Sequence, residues 1–369
     1  MSQTDAGTTG SGATAPAPEF SPGSGTLTDV AHRLAFTGKG SEYFGIWIVN
    51  LLLSIVTLGI YSAWAKVRRT QYFARNTELD GARFDYHGDP MLILKGRLIA
   101  FGLLILYQLA SHANPYFGLT VGFALAGVMP YLLLKSLYFR LHNLSYRGLR
   151  FRFTGETKGA YINFLAWPLA TFFSLYLLAP LCHHRIKRFQ HEHSAFGQTH
   201  FSFHAPASAF YKLYLQALGL FLLAGALIVG GLYYSLQAKL IPLPGKQLSF
   251  FLFLLPFGVA LLAVFVLQPF LSARLQNLIW NNTRLGAHRF ESRASVWRLF
   301  AIQITNLLGI LLTLGLYRPF AVTRLYRYRS ETVTLLAADT LDNFIAANSG
   351  PSGALGDETA EMFDIDIAL

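Results

Sequence analysis

The sequence predicts an α-helical polytopic membrane protein with about seven apolar segments arranged as an internal repeat, and with short β-strands in the linkers between them. Three observations predict it. Of 369 residues 53% are hydrophobic and only 13% charged, and the charges cluster between long uncharged runs. Six of those runs reach 18 residues or more, and roughly 20 helical residues cross a hydrocarbon core about 30 Å thick. One phrase, NLLLSIVTLGIYSAWAKVRR from Asn50 to Arg69, also returns as NLLGILLTLGLYRPFAVTRL from Asn306 to Leu325.

Residues 1–33 are rich in Ser, Thr, Gly, Ala and Pro and lack the apolar core of a cleavable signal, so they are expected to form a disordered tail. A first membrane repeat over 34–158 opens with the single apolar run Tyr43 to Ala65. It continues through a basic linker to the run Leu98 to Leu134, too long for one helix, where Asn-Pro in SHANPY turns the chain into a hairpin. A second repeat over 159–298 has the single run Gly159 to Leu181, another linker, and the pair Leu213 to Ala238 and Gln247 to Ala273. A partial third repeat over 299–346 keeps only Leu299 to Tyr317, and residues 347–369 read as an acidic disordered tail.

The linkers share a form. TELDGARFDYHG from Thr77, SYRGLRFRFTG from Ser145, AFGQTHFSFH from Ala195 and TRLGAHRFES from Thr283 each carry a Gly three or four residues before a Phe. Three of them alternate aromatic with polar residues, and period-two alternation after a Gly turn predicts a short half-buried strand. In the third repeat VTLLAADTLDNF stands in place of this motif.

Aligning the repeated phrase pairs Asn50 with Asn306, Gly59 with Gly315 and Tyr61 with Tyr317, and these six are expected to form a structural joint made twice. The expectation is that the glycines let backbones approach closely in lipid and that the amides join helices. The middle single run has Ser174, Leu175 and Tyr176 where the others have Thr, Leu and Gly. Arg68 and Arg324 follow Ala63 and Pro319 by five residues, and Pro180 with Arg185 and Pro269 with Arg274 repeat that spacing where an apolar run ends. Arg68, Arg185, Arg274 and Arg324 are accordingly expected at phospholipid headgroups.

The stretch NLLLSIVTLGIYSAWAKVRRTQYF, followed by Thr77, Gly81, Phe84, Tyr86 and Gly88, resembles the signature of the YjgN family of bacterial inner-membrane proteins. The resemblance covers about residues 34 to 346. It implies a multi-spanning plasma-membrane protein of Gram-negative bacteria, and it implies no activity.

Topology has two solutions. If all seven segments cross in turn, Lys and Arg divide unevenly but weakly between the two sides. If every strand-bearing linker lies in the cytoplasm, the linkers 66–97, 135–158, 182–212 and 274–298 place 7, 6, 4 and 5 basic residues there, and the single segments must enter and return.

Chemistry is sparse. HExxH, GxSxG and a Gly-rich phosphate loop are all missing, so no catalytic residue and no cofactor are expected. Six histidines between His183 and His204 match no zinc template, and interfacial polar surface is the favoured role over a metal site or a pH-responsive patch. Cys182, the one cysteine, excludes an intrachain disulfide. The expected partners are membrane phospholipids, with an unidentified protein partner in reserve, and not nucleic acid. Two functions follow: binding or moving a small or lipid-like molecule between repeats, or acting as a non-transporting scaffold that recruits a partner.

Overall fold

The computed structural model describes residues 30–238, 258 and 265–348. Its centre is an 11-stranded antiparallel sheet, which overturns the expected α-helical fold with only short strands in its linkers. The strands are β1 (Val30–Arg33), β2 (Ala35–Phe36), β3 (Thr77–Leu79), β4 (Ala82–Tyr86), β5 (Leu144–Tyr146), β6 (Leu149–Phe153), β7 (Ser194–Phe196), β8 (Thr199–Phe203), β9 (Thr283–Leu285), β10 (His288–Ser292) and β11 (Val333–Ala337). Their order round the sheet is β1-β11-β10-β9-β8-β7-β6-β5-β4-β3-β2. Only Leu34 separates β1 from β2, so the two ends of the sheet meet and it curls into a nearly closed barrel.

Each linker motif is a β-hairpin rather than a lone strand. Asp80 and Gly81 have φ of 48° and 72°, and Arg147 and Gly148 47° and 81°; two successive positive φ values make the turn that matches strand twist. The hairpins then pair with one another, β4 with β5, β6 with β7 and β8 with β9. The VTLLA stretch also forms a strand, β11, which pairs with β10 and with β1.

The hairpin turns all lie at one rim, and every helix except the last leaves from the other. The first helices are α1 (Gly40–Val56), α2 (Ser62–Arg75), α3 (Pro90–Ala113) and α4 (Pro115–His142). After them come α5 (Thr157–Tyr161), a π-helical turn (Ile162–Ala166), α6 (Trp167–Phe173), α7 (Ala179–Glu192) and α8 (Ala207–Gln237). The described part of α9 is 265–280, and α10 (Val296–Leu312), α11 (Arg318–Glu331) and α12 (Leu341–Asn348) complete the set.

Seven spanning segments are not found among the described residues. Among the described residues three helices are long and apolar enough to cross a membrane, Pro90–Ala113, Pro115–His142 and Ala207–Ser235. The single segments one, four and seven fail for a local reason: each apolar helix is capped and the chain returns. In the first, Leu58 N–H donates to Ile55 O at 3.1 Å and Gly59 N–H to Ser54 O at 2.7 Å, with Leu58 at φ 50°. That bond pair with a left-handed residue is a Schellman cap. Leu175 and Tyr176, and Leu314 and Gly315, repeat it with the same donor-acceptor spacing. The hydroxyls match as well, since Tyr61 N–H donates to Thr57 Oγ1, Leu178 N–H to Ser174 Oγ and Tyr317 N–H to Thr313 Oγ1 at 2.8 to 3.2 Å. The middle run, with its altered phrase, therefore makes the same turn. Hydropathy alone measures length and cannot register a reversal.

The first long unit does turn where Asn-Pro predicts: Asn114 Oδ1 accepts from Tyr116 N–H at 2.8 Å and caps α4. The long apolar helices outrun the uncharged stretches, so Lys95 and Arg97 lie on α3 and Lys135 and Arg140 on α4. The turn KLIPLPGKQ, most of the run from Gln247, residues 1–29 and most of the acidic tail lie outside the described residues.

Packing between helices and barrel recurs at matched positions. Tyr43, Ile93, Ala160, Phe210 and Leu299 are buried seven residues after the last residue of β2, β4, β6, β8 and β10 respectively. Ala63, Pro130, Pro180, Pro269 and Pro319 are buried on the helices that return toward the sheet. Gly88 and Gly155 sit where a Cβ would come within 2.5 Å of the Tyr86 and Phe153 rings, so only glycine lets the chain leave the strand beside its own aromatic.

Candidate functional site: an apolar chamber inside the barrel

Side chains alternate along a strand, so one face of the five-residue strands points into the barrel. Phe84, Phe151, Phe201 and Phe290 occupy the same level of β4, β6, β8 and β10, and successive ring centroids lie 6.4, 6.5 and 6.1 Å apart with near-parallel planes. Leu34 and Leu335 complete this level. Leu79, Tyr146, Phe196 and Leu285 from the short strands fill the turn side, where Tyr146 OH donates to Leu79 O at 2.7 Å. The packing leaves an internal cavity of about 320 Å³ whose walls are almost wholly apolar.

At the turn rim α12 covers the chamber. Phe344 meets the His288 ring edge-on at 4.5 Å and stacks on Phe196 at 6.2 Å. Asn348 Oδ1 accepts from Thr199 Oγ1 at 2.8 Å and Gln198 N–H at 3.2 Å. Arg147 pairs with Asp80 at 2.8 Å and also with Asp342 of α12, while His32 Nδ1 lies 3.0 Å from Asp80.

At the helix rim Leu141, His191 and Trp280 line the opening. His191 stacks on Phe203 at 5.4 Å and is 3.3 Å from the Thr283 hydroxyl. Burial, with the Lys187 ammonium adding to it, pushes its pKa down to about 4, so the ring is neutral at pH 7. Burial also lowers His288, whose Nδ1 accepts from Ala338 N–H at 3.2 Å, Asp339 opposing the shift and His32 adding to it. Both imidazoles can offer one hydrogen bond to a guest without carrying charge.

The histidine group does not converge. His183 Nδ1 is 3.0 Å from Tyr214 OH, His184 Nε2 donates to Ala205 O at 2.9 Å, and His193 Nδ1 donates to Phe189 O at 2.9 Å. Among the described residues no group of three or more His, Cys, Asp or Glu is placed to share a metal ion. Cys182 is buried.

The residues expected at a joint lie in the return units, away from the chamber. Asn50 and Asn306 are buried; Asn306 Nδ2 donates to Ala321 O at 3.1 Å, and the side-chain oxygen of each lacks a partner. Gly59 and Gly315 have φ of 93° and 96°, and a Cβ on either would meet nothing within 4 Å, so backbone conformation rather than close approach is what they provide. Tyr61 stacks on Trp64 and Tyr317 on Phe320, at 6.1 and 5.6 Å. Neighbouring units do meet here, since α1 touches α11 where Phe44 stacks on Phe320 at 5.8 Å.

Arg68, Arg185, Arg274 and Arg324 are exposed, and none pairs with a carboxylate among the described residues. Arg68 reaches Tyr61 OH at 3.4 Å, Arg185 lies over Trp167 at 5.4 Å and Arg324 donates to Thr305 Oγ1 at 2.7 Å. Sequence reasoning missed the chamber. The phenylalanines were visible as strand residues, but their convergence depends on which hairpins pair.

A family model described as "Bacterial protein of unknown function (DUF898)" matches residues 31–362. The chain is 32% identical over 148 residues to "Inner membrane protein YjgN" of Salmonella typhimurium, covering 40% of this chain and 38% of that protein. It is 23% identical over 283 residues to the protein of the same name from Escherichia coli strain K12, covering 76% of this chain and 57% of that one. A third, from Escherichia coli O157:H7, is 31% identical over 132 residues, 36% of this chain and 33% of that one. The matches thus span well under two thirds of these relatives. No solved structure matches. On the family model's coverage, the chain belongs to DUF898, the YjgN family, a family of bacterial proteins of unknown function.

Proposed function

We propose that this protein is a bacterial inner-membrane protein that holds a small apolar or amphipathic molecule inside its barrel and exchanges it with the bilayer. The observation that carries the proposal is the chamber of about 320 Å³ walled by Phe84, Phe151, Phe201, Phe290 and leucines. A void that size falls in the range of ligand pockets, and apolar voids stay dry and take apolar guests. Such a void lined by well-packed rings forfeits dispersion contacts unless something fills it.

The names of the relatives support the inner membrane, and lengths support the depth. α3, α4 and α8, with 24, 28 and 31 residues, are about 36 to 46 Å long, whereas α1 and α10, with 17 each, reach about 25 Å. The long units would cross while the return units stop partway. Leu58, Leu175 and Leu314 occupy left-handed tip positions at 95, 85 and 95% exposure. Leucine there suits lipid and not water.

The chain is further proposed to be a fivefold internal duplication, two units more than the three single segments alone suggest. Arg68, Lys135, Arg185, Arg274 and Arg324 each stand eight residues ahead of Asn76, Asn143, His193, Asn282 and Thr332, the residues that precede the short strands and β11. Five residues before each cation stands the buried Ala63, Pro130, Pro180, Pro269 or Pro319. A ring of five cations at one level fits phospholipid headgroups on the barrel's side of the bilayer.

To test the chamber, purified protein would be delipidated and titrated with a fluorescent polyene fatty acid, alongside Leu285→Trp and Leu335→Phe. These two variants should remain monodisperse and lose binding. Unchanged binding in both would overturn the proposal. If native protein never retains or binds an apolar guest, the scaffold role is the better account.

A further inference from the structure

We infer that Lys66, Arg97, Arg140 and Lys187 form an anion site at the helix end of the chamber, and that the bound molecule is an amphiphile with a phosphate or carboxylate head. This rests on the chamber being occupied, as proposed above. His183, Lys187 and His191 recur every four residues on α7 and so share one face, and His191 lines the chamber. Lys187 therefore stands one turn beyond the chamber mouth. On α4 Leu141 lines the same mouth and Arg140 precedes it, within electrostatic reach of Lys187 and of Lys66. Lys66 in turn senses Arg97, whose guanidinium donates to Ser62 Oγ.

Ala63 and Val67 of α2, Ile93 of α3 and Phe139 of α4 share one core cluster, so Lys66, Arg97 and Arg140 are carried on helices packed together, with Lys187 of α7 within electrostatic reach of Arg140. None of the four forms an ion pair among the described residues. Some cations elsewhere do pair: Arg75 with Asp85 at 2.7 Å, Arg147 with Asp80 at 2.8 Å, Arg188 with Glu192 at 2.8 Å. Polar help is limited to Lys187 Nζ donating to Gln190 Oε1 at 3.2 Å and to the Ser62 contact. Burial, reinforced by the neighbouring cations, already lowers the pKa of both lysines, as an uncompensated cluster must. An anion placed among the four would relieve that repulsion. The barrel would take the tail, and the location at the barrel ends of two spanning helices gives lateral access from a leaflet.

The site can be tested with two fluorescent probes that share a polyene tail, the free fatty acid and its methyl ester, titrated against detergent-purified full-length protein. Native protein should bind both, the acid more tightly. Arg140→Gln/Lys187→Gln should weaken the acid by roughly tenfold or more, as loss of charge-assisted contacts does, and leave the ester within about twofold. Lys187→Arg should retain acid binding, and the surface variant Arg188→Gln should leave both unchanged. Equal loss of both probes, or no loss of the acid, would overturn the anion site while leaving the chamber standing. Failure of both probes with native protein would instead sink the chamber. Inorganic phosphate and a long-chain alkyl phosphate would then be compared as stabilisers. Stabilisation by the alkyl phosphate alone supports a lipid head, by both alike a free anion, and by neither refutes the site.

Discussion

Replacing Gly59 tests whether the return-unit tip is governed by backbone conformation or by volume. The glycine closes a Schellman cap at φ 93°, and a Cβ added there would meet no atom within 4 Å. No side chain is excluded by space. What any Cβ costs is the left-handed backbone, about 1–2 kcal/mol. Gly59→Ala and Gly59→Leu should therefore lose the same amount, and Gly315, at φ 96° and equally unencumbered, should behave as its twin. The third tip supplies the reverse experiment. Tyr176 already holds φ 65°, so Tyr176→Gly should gain about 1 kcal/mol. The measurement is equilibrium unfolding in mixed micelles, with the slope checked so that midpoints compare like with like. A leucine penalty well above that of alanine would mean the tip packs against something, and the conformational account would be refuted. So would indifference to all three changes.

Acid should destabilise the protein between about pH 6.5 and about 4, because His183 and His191 sit near 4 when folded and take up protons on unfolding; stability rises with pH through that window, and His191→Gln should flatten the slope in a series of thermal melts. Asn306→Ala should cost about 1 kcal/mol more than Asn50→Ala, since only Asn306 gives up a hydrogen bond to Ala321 O, and equal melting shifts would contradict this. Arg147→Ala removes both ion pairs to Asp80 and Asp342, so α12 should exchange its amides markedly faster by hydrogen–deuterium exchange while the spanning helices do not change. Replacing Arg68, Arg185, Arg274 and Arg324 together with Gln should reduce the anionic phospholipid carried through detergent purification, measured by lipid mass spectrometry.

Much of the local structure was legible in the residues. Gly81 and Gly148 announce turns, though not that each joins two strands, alternation of Phe151 and Phe153 announces a strand, and Asn114-Pro115 announces the tip of a helical hairpin. The repeated phrase was legible as a repetition, and the basic linkers raised a reversal as one of two topologies without deciding between them. Gly59 and Gly315 read as packing residues because a glycine in an apolar run suggests close helices, whereas the hydrogen bonds that stop α1 and α10 depend on φ at Leu58 and Leu314, which a leucine does not advertise. The barrel was the larger omission. Pairing of β4 with β5 or β8 with β9 joins residues separated by whole helical units, and no period in the sequence encodes such partners. The cation site was hidden for a related reason, since Arg97 and Arg140 flank uncharged runs and only their helices carry them toward Lys66 and Lys187.

The pairing of Val30 with Ala337 has a consequence for how the protein is made. The strand that opens the described chain waits for a partner synthesised after every helical unit has emerged. Until then β1 and β10 are raw edges, the kind that recruit foreign strands. Every helical unit is therefore synthesised before the ring can close. A ribosome stalled before Val333 would leave an open crescent with its aromatic face bare. The joining of first strand to last is thus the last pairing the growing chain can make, and pulse-labelled nascent chains should stay protease-sensitive until β11 is released.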